Sequence, residues 1–216
     1  VSSGDVSNDS SIKLTFTSTE ATTDFVENDI IINNGSLSNF AEVSPTVYTA
    51  ILTPTDDGLC TVDVAAGVFT DGSGNLNIAA TQFTWTFDSL SPIMTITSNN
   101  VSNGNASNDS SIELTFTSSE PTTNFGVGDI STSNGSLSSF SQTSPTVYEA
   151  IFTPADEGQC IIDVAAEAFS DAVGNLNNAS QFIWTFDVTS PTMTIASSTV
   201  SSGDVSNDSS IKLTFT

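Results

Sequence analysis

The chain has 216 residues, of which 25 are Asp or Glu and only two are Lys or Arg, so its formal net charge is -23. This charge repels nucleic acid phosphates and acidic membrane surfaces, so we expect neither as a partner. The chain contains no His and no Arg, and losing the commonest general base argues against an enzyme. No run of the roughly 18 apolar residues that a membrane-spanning helix needs is present, so we expect no such helix.

The sequence repeats with a domain-sized period. Residues 1–17 and 200–216 are identical (VSSGDVSNDSSIKLTFT), and residues 101–117 are a diverged copy. The third copy matches the first rather than the second, which indicates two alternating repeats. Repeats of this size are usually single domains. We therefore predict a domain at residues 1–88 that lacks its first strand, a second at 89–187, and the first two strands of a third at 188–216.

Alternating apolar and polar residues predict short strands, separated by turn signals such as Asn34-Gly35 and Asp57-Gly58. In the second repeat we place seven strands, named A to G, at residues 94–98, 112–117, 129–133, 137–140, 147–153, 159–165 and 182–186. Seven short strands in a repeat of about 100 residues are typical of an immunoglobulin-type sandwich. The predicted fold class is all-β, with tandem seven-stranded immunoglobulin-like β-sandwiches in an end-to-end string.

Five sequence blocks occur in the same order in both repeats: FxxxDI, NGSLSxF, YxAxxTP, FxDxxGNLN and WTFD, followed by a Ser-Pro linker. This series resembles the bacterial Ig-like repeats of biofilm-associated and giant adhesin proteins, and the resemblance covers both full repeats. It implies an extracellular or cell-surface sandwich, strung end to end with its copies and often rigidified by calcium between domains.

Strand parity predicts where the acidic residues lie. In an antiparallel sandwich the chain reverses at each turn, so the end of strand G in one domain should meet the B–C and F–G loops of the next. Asp88, which ends the first domain, should therefore face Glu120 and Asp171 of the second. Asp187 should face the equivalents of Glu20 and Asp71 in the next repeat.

Carboxylates grouped without basic partners favour Ca²⁺, which takes six to eight oxygen ligands. An Asn amide oxygen could add to the set, and Gly74 and Gly174 permit the tight turn that such a loop needs. The predicted metal ligands are Asp88, Glu120, Asp171 and Asn175, with Glu20, Asp71, Asn75 and Asp187 at the equivalent positions of other junctions.

Other interpretations of the same residues stay open. Asp71 could close its own turn by accepting backbone hydrogen bonds, and Glu20 could be a solvated loop charge. The pairs Asn8-Asp9 and Asp56-Asp57 could supply a second ion from the opposite pole.

The two cysteines occupy equivalent strand positions. Cys60 and Cys160 alternate with apolar residues, which predicts buried free thiols; a cross-link to another chain is the alternative.

These features favour a non-catalytic structural repeat of a long extracellular fibre, stalk or filament, whose partners are like repeats packed laterally or end to end. The alternative is an adhesin repeat that binds a glycan or another surface ligand through its Thr- and Ser-rich faces or loops.

Overall fold

The chain forms two successive β-sandwiches in a computed structural model that describes residues 1–216. The strands of the first repeat are β1 (Val6–Ser7), β2 (Ile12–Thr17), β3 (Ile30–Asn33), β4 (Gly35–Ser44), β5 (Val47–Pro54), β6 (Gly58–Val64) and β7 (Phe83–Phe87). Those of the second are β8 (Met94–Ser98), β9 (Ala106–Ser107), β10 (Ile112–Ser118), β11 (Ile130–Ser133), β12 (Gly135–Ser144), β13 (Val147–Pro154), β14 (Gly158–Val164) and β15 (Ser180–Phe186). A 3-10 turn precedes β3 (Glu27–Asp29) and another precedes β11 (Val127–Asp129).

The second sandwich consists of two four-stranded sheets, with the orders β12-β13-β10-β8 and β11-β14-β15-β9. The first has the same arrangement, β4-β5-β2 and β3-β6-β7-β1, without a counterpart of β8. The predicted fold class, tandem all-β sandwiches of immunoglobulin type, is confirmed. The second sandwich has eight strands rather than seven, because β9 is a two-residue strand that pairs in parallel with β15 and is too short to leave an alternating pattern.

The cores lie between the paired sheets, where alternate residues of each strand point inward. In the second sandwich Trp184, Cys160 and Phe116 are fully buried. Its core comprises 17 buried apolar residues against 10 in the first. Part of this difference comes from β8, which contributes Met94 and Ile96 to the second core alone. The first sandwich is therefore open along β2, where that strand would lie.

An aromatic cluster holds two loops at the same pole of each sandwich. Phe125, in the loop after β10, packs edge-on against Tyr148 and Phe169, with ring centroids 4.9 and 5.0 Å away. Phe169 lies in the loop between β14 and β15. Edge-to-face aromatic pairs stabilise a fold by about 0.5–1.5 kcal/mol beyond their burial. This packing fixes the two loops that carry Glu120 and Asp171.

Predicted and observed strand bounds agree to within four residues. The largest difference is strand D, predicted at 137–140, which extends over Gly135–Ser144 with irregular pairing to β13. Its polar, exposed ends carry no apolar alternation. The domain bounds 1–88, 89–187 and 188–216 stay a prediction; below, residues 1–88 and 89–187 are called the first and second domains.

The last residues form a two-stranded ribbon of β16 (Ile195–Ser197) and β17 (Leu213–Phe215). Ile195 and Phe215 remain 64% and 59% exposed, so the ribbon buries little apolar surface. Nowhere does the structure contain a helix with the length and hydropathy needed to cross a membrane.

Candidate metal centre at the domain junction

Three carboxylates from two domains converge at the junction. Asp88 follows β7, the last strand of the first domain, whereas Glu120 follows β10 and Asp171 lies between β14 and β15 of the second. One carboxylate oxygen from each lies within 4.8 Å of the others. Asp88 and Glu120 are half-buried and Asp171 is buried. We call these three residues the junction triad.

The loop around Asp171 orients its carboxylate. The Oδ1 atom accepts hydrogen bonds from the backbone N–H groups of Val173, Gly174 and Asn175 at 2.9, 2.7 and 2.9 Å. Gly174 has a φ of +95°, which residues with a side chain rarely adopt. The Oδ2 atom accepts one bond, from the Asn175 amide. Because Oδ1 is fully engaged, Oδ2 is the oxygen with capacity left for a cation.

Glu120 is the electrostatically unfavourable member of the triad. Burial raises the pKa of its carboxyl group, and the negative charges of Asp88, Asp171 and Asp57 raise this pKa further. No basic side chain offsets these charges, since the only cationic side chains of the chain are Lys13 and Lys212. A bound cation would remove the repulsion.

Asn175 joins the two domains by hydrogen bonds. Its Nδ2 atom donates to the backbone oxygen of Asp88 at 3.0 Å and to Asp171 Oδ2 at 2.9 Å. Its Oδ1 atom accepts a bond from Asn8 of the first domain at 3.1 Å. Asn175 was expected to offer its amide oxygen to a metal; in this arrangement its nitrogen faces Asp171 and its oxygen faces Asn8. The sequence does not predict the hydrogen bond from Asn8 to Asn175; it indicates only that an Asn lies near the pole of the first domain that faces the second.

A fourth acidic residue holds the start of the linker. Asp57 accepts hydrogen bonds from the backbone N–H and the hydroxyl of Ser89. At the next linker Glu157 accepts equivalent bonds from the backbone N–H of Val188, at 2.8 Å, and from the hydroxyl of Thr189. The sequence pairs Asp56 with Asp57 as ligands of a second ion, whereas the structure engages Asp57 with the linker.

The remaining predicted ligands lie apart from the triad, at the outer poles. Asp71 Oδ1 accepts the N–H groups of Ser73 and Asn75, both at 2.8 Å, and the Asn75 amide donates to Oδ2. The bonds from Asn75, with those from the turn backbone, lower the pKa of Asp71. Asp71 therefore closes its own turn by accepting these hydrogen bonds. Asp171 closes its turn in the same way and is also a member of the junction triad, so the two roles are compatible.

Two other predicted ligands belong to no cluster of three carboxylates in this chain. Glu20 is exposed at the free pole of the first domain, and Asp187 is exposed after β15. Asp187 Oδ1 accepts the N–H of Thr189 at 3.0 Å, as Asp88 Oδ1 accepts that of Leu90 at 3.2 Å. Their assignment as ligands stays a prediction.

Both cysteines are fully buried free thiols, in agreement with the strand alternation. The Cys60 thiol donates to the backbone oxygen of Asn34 at 3.1 Å, and burial raises its pKa. Burial likewise raises the pKa of Cys160.

The donor chemistry of the junction fits a hard divalent cation. Carboxylate oxygens are preferred ligands of Ca²⁺, which tolerates irregular geometry and accepts water and backbone oxygens to complete its coordination. The triad supplies three such groups, and Asp171 Oδ2 is already held in place. Thiols and imidazoles, the usual zinc ligands, are absent from the cluster.

Comparison with known proteins gives a family and several structural neighbours. The model of the bacterial Ig-like domain matches residues 1–86 and again residues 88–184. No curated protein sequence matches significantly. Among solved structures, InvD of Yersinia pseudotuberculosis is 19% identical, with a TM-score of 0.37 over 89% of this chain. Invasin, described as a bacterial integrin-binding protein, is 15% identical, with a TM-score of 0.40 over 89% of this chain. The I9–I11 tandem of titin is 9% identical, with a TM-score of 0.35 over 90% of this chain and 64% of its own.

The chain spans 60% of the InvD chain and 39% of the invasin chain. The TM-scores are all below 0.5, so these likenesses carry no argument about this chain. The family match is of a different kind, because it covers nearly all of both repeats in register with the two sandwiches. The chain therefore belongs to the bacterial Ig-like domain family and carries two copies of that domain in tandem.

Proposed function

We propose that this chain is a non-catalytic structural repeat of a long extracellular fibre, stalk or filament, and that Ca²⁺ bound by the junction triad rigidifies the joint between its domains. The observation that carries the proposal is the convergence of Asp88 with Glu120 and Asp171 across the domain boundary. The two copies of a bacterial Ig-like domain in tandem support a repeat that spans distance.

The mechanism follows from charge and connectivity. Without a cation, three like charges within 4.8 Å repel each other and favour opening of the joint. A divalent ion bound by all three reverses this effect, because it attaches the end of β7 to two loops of the next domain. The linker is short and reaches Pro92 four residues after Asp88, so it is stiff before any ion binds.

Contacts without a metal already set the orientation of the joint. Asn175 bonds to both Asn8 and the backbone of Asp88, and Asp57 bonds to Ser89. The ion then strengthens an interface that these contacts have aligned. We expect affinity in the range of extracellular calcium modules, about 10⁻⁴–10⁻³ M, which suits a protein outside the cell.

The test is thermal unfolding of the full chain in Ca²⁺ and in chelator. We expect Ca²⁺ to raise the midpoint for the parent and to leave it unchanged for the double variant Asp88→Asn/Glu120→Gln, which keeps the side-chain shapes and removes two charges. Ionic strength must be matched, because any divalent cation screens a chain of charge -23.

Glu20→Gln is the matched control, since Glu20 occupies the equivalent loop of the first domain and has no counterpart of Asp88 beside it. This variant should keep the full response to Ca²⁺. A double variant that responds to Ca²⁺ as strongly as the parent would refute the proposed ligands.

A further inference from the structure

In the first domain, the sheet of β2, β5 and β4 has an outer face without acidic side chains. Lys13 of β2 is exposed on this face, opposite Ile51 of β5. The other outward residues of β2 and β5 are Thr and Val. The only acidic residue of the three strands, Glu42, pairs with Tyr48, which points into the core. In a chain with 25 acidic residues and two Lys, this face therefore carries one positive charge and no negative charge.

The same face of the second domain carries the opposite charge. Glu113 occupies the place of Lys13, opposite Ile151, and Glu149 lies on the neighbouring strand. Both carboxylates are exposed. In the register of β10 and β13 they are diagonal neighbours, roughly 7–8 Å apart, so each disfavours the charge of the other. The next strand, β8, adds only uncharged residues.

The backbones of the two faces are alike, so the charge reversal is carried by side chains alone. Residues 12–17 pair with 47–52 in the same register in which residues 112–117 pair with 147–152. When two like faces meet, Lys13 approaches a second Lys13, or the two Glu approach two more. Like charges brought together in this way suppress association, whereas unlike charges favour it. The faces therefore complement each other only between a first and a second domain.

Stacking of these two sheets brings more than a charge pair together. Packed sheets lie about 10 Å apart, a gap that extended Lys and Glu side chains cross from opposite sides. When the row of Lys13 and Ile51 faces the equivalent row, Lys13 meets Glu113 and Ile51 meets Ile151. Both Ile residues are only half-buried in the single chain, so this contact removes apolar surface from water. An exposed ion pair contributes little on its own, so the charges select the partner face and the apolar contact supplies affinity.

We propose that the outer face of β2, β5 and β4 of one molecule packs side by side on the outer face of β10, β13 and β12 of a second copy of this chain. Lys13 then pairs with Glu113, and Ile51 packs against Ile151. This lateral contact extends the proposed structural role and sets which domains of neighbouring chains lie together. It does not depend on the calcium joint, so the two proposals can fail separately.

The experiment is sedimentation velocity of the full chain at increasing concentration, in chelator and at low ionic strength. Every chain carries Lys212→Gln, which leaves Lys13 as the only Lys of the reference chain. We expect reversible association that weakens as salt is added. Glu113→Lys should weaken association by at least about tenfold, because it sets Lys against Lys. General repulsion between negative chains predicts the reverse, since this variant is less negative than the reference.

Two further variants identify the contact. The exchange Lys13→Glu/Glu113→Lys keeps the net charge of the reference chain and should restore its association. Glu167→Lys is the matched control, because Glu167 is exposed in the loop between β14 and β15, away from both faces, and takes the same change of charge. A reference chain that stays monomeric, a Glu113→Lys chain that associates as strongly as the control, or an exchanged chain as weak as Glu113→Lys would each overturn the inference.

Discussion

At the scale of single residues, the members of the junction triad have different environments. Asp171 is held by three backbone N–H groups and a side-chain amide, which fix the position of its carboxylate. Glu120 lacks such donors, and burial and three neighbouring carboxylates oppose its charge. The position of Asp171 is therefore set by its own loop, while Glu120 is the residue that gains most from a cation.

Glu120→Gln tests this division through pH. In the folded protein the pKa of Glu120 is raised, so the folded state binds a proton more tightly than the unfolded state does. Below the unfolded-state pKa of about 4.3, Glu120 is protonated in both states and does not lower the free energy of unfolding. As pH rises towards the raised folded-state pKa, ionisation of Glu120 lowers the free energy of unfolding progressively, and the loss is largest above that pKa. In chelator at neutral pH, the Gln variant should be more stable than the parent by less than about 1 kcal/mol, given the solvent screening.

This gain should disappear as pH falls below about 4, where Glu120 is protonated in both states. Denaturant unfolding at a series of pH values measures it, with Glu20→Gln as the control. A Gln variant less stable than the parent at neutral pH in chelator would contradict the proposed repulsion.

At the scale of strands, β12 begins in close contact with β13, its neighbour in the same sheet. A Cβ atom added to Gly135 would lie 2.3 Å from Phe152 Cζ and 2.6 Å from the backbone oxygen of Thr153. The backbone oxygen cannot move without displacing β13, and the Phe152 ring is fully buried in the core. Glycine is needed here because of this close approach, since the backbone conformation itself is an ordinary one.

We predict that Gly135→Ala lowers the free energy of unfolding by roughly 1–3 kcal/mol, as overpacking of a filled core does. Gly128→Ala in the same domain is the control, because a Cβ there would meet nothing within 4 Å. Urea unfolding of both variants measures the difference. Equal midpoints for the two would show that β12 and β13 separate more easily than this contact implies.

Strands with a buried face could be placed from sequence because alternation records burial. Met94–Ser98 falls where the pattern predicts it. The pattern carries no information on β9, whose two residues serve only to pair with β15. Nor does it report the C-terminal end of β12, where the pairing to β13 is irregular and residues 141–144 are all polar.

At the scale of the whole molecule, topology brings the triad together. Strand parity assigns each loop to a pole, so the convergence of Asp88 with Glu120 and Asp171 follows from the number of strands and the direction of the chain. Side-chain partners within the joint do not follow from parity. The bonds from Asn8 to Asn175 and from Ser89 to Asp57 depend on how closely the two poles approach and how they are rotated.

The most direct test of the calcium joint is a crystal structure of the full chain grown with Ca²⁺, with anomalous scattering used to locate the ion. We predict an anomalous peak between the two domains, at about 2.3–2.6 Å from a carboxylate oxygen of Asp88, of Glu120 and of Asp171. A map without a peak at that position, from crystals grown at a Ca²⁺ concentration that saturates the thermal response, would contradict the calcium joint.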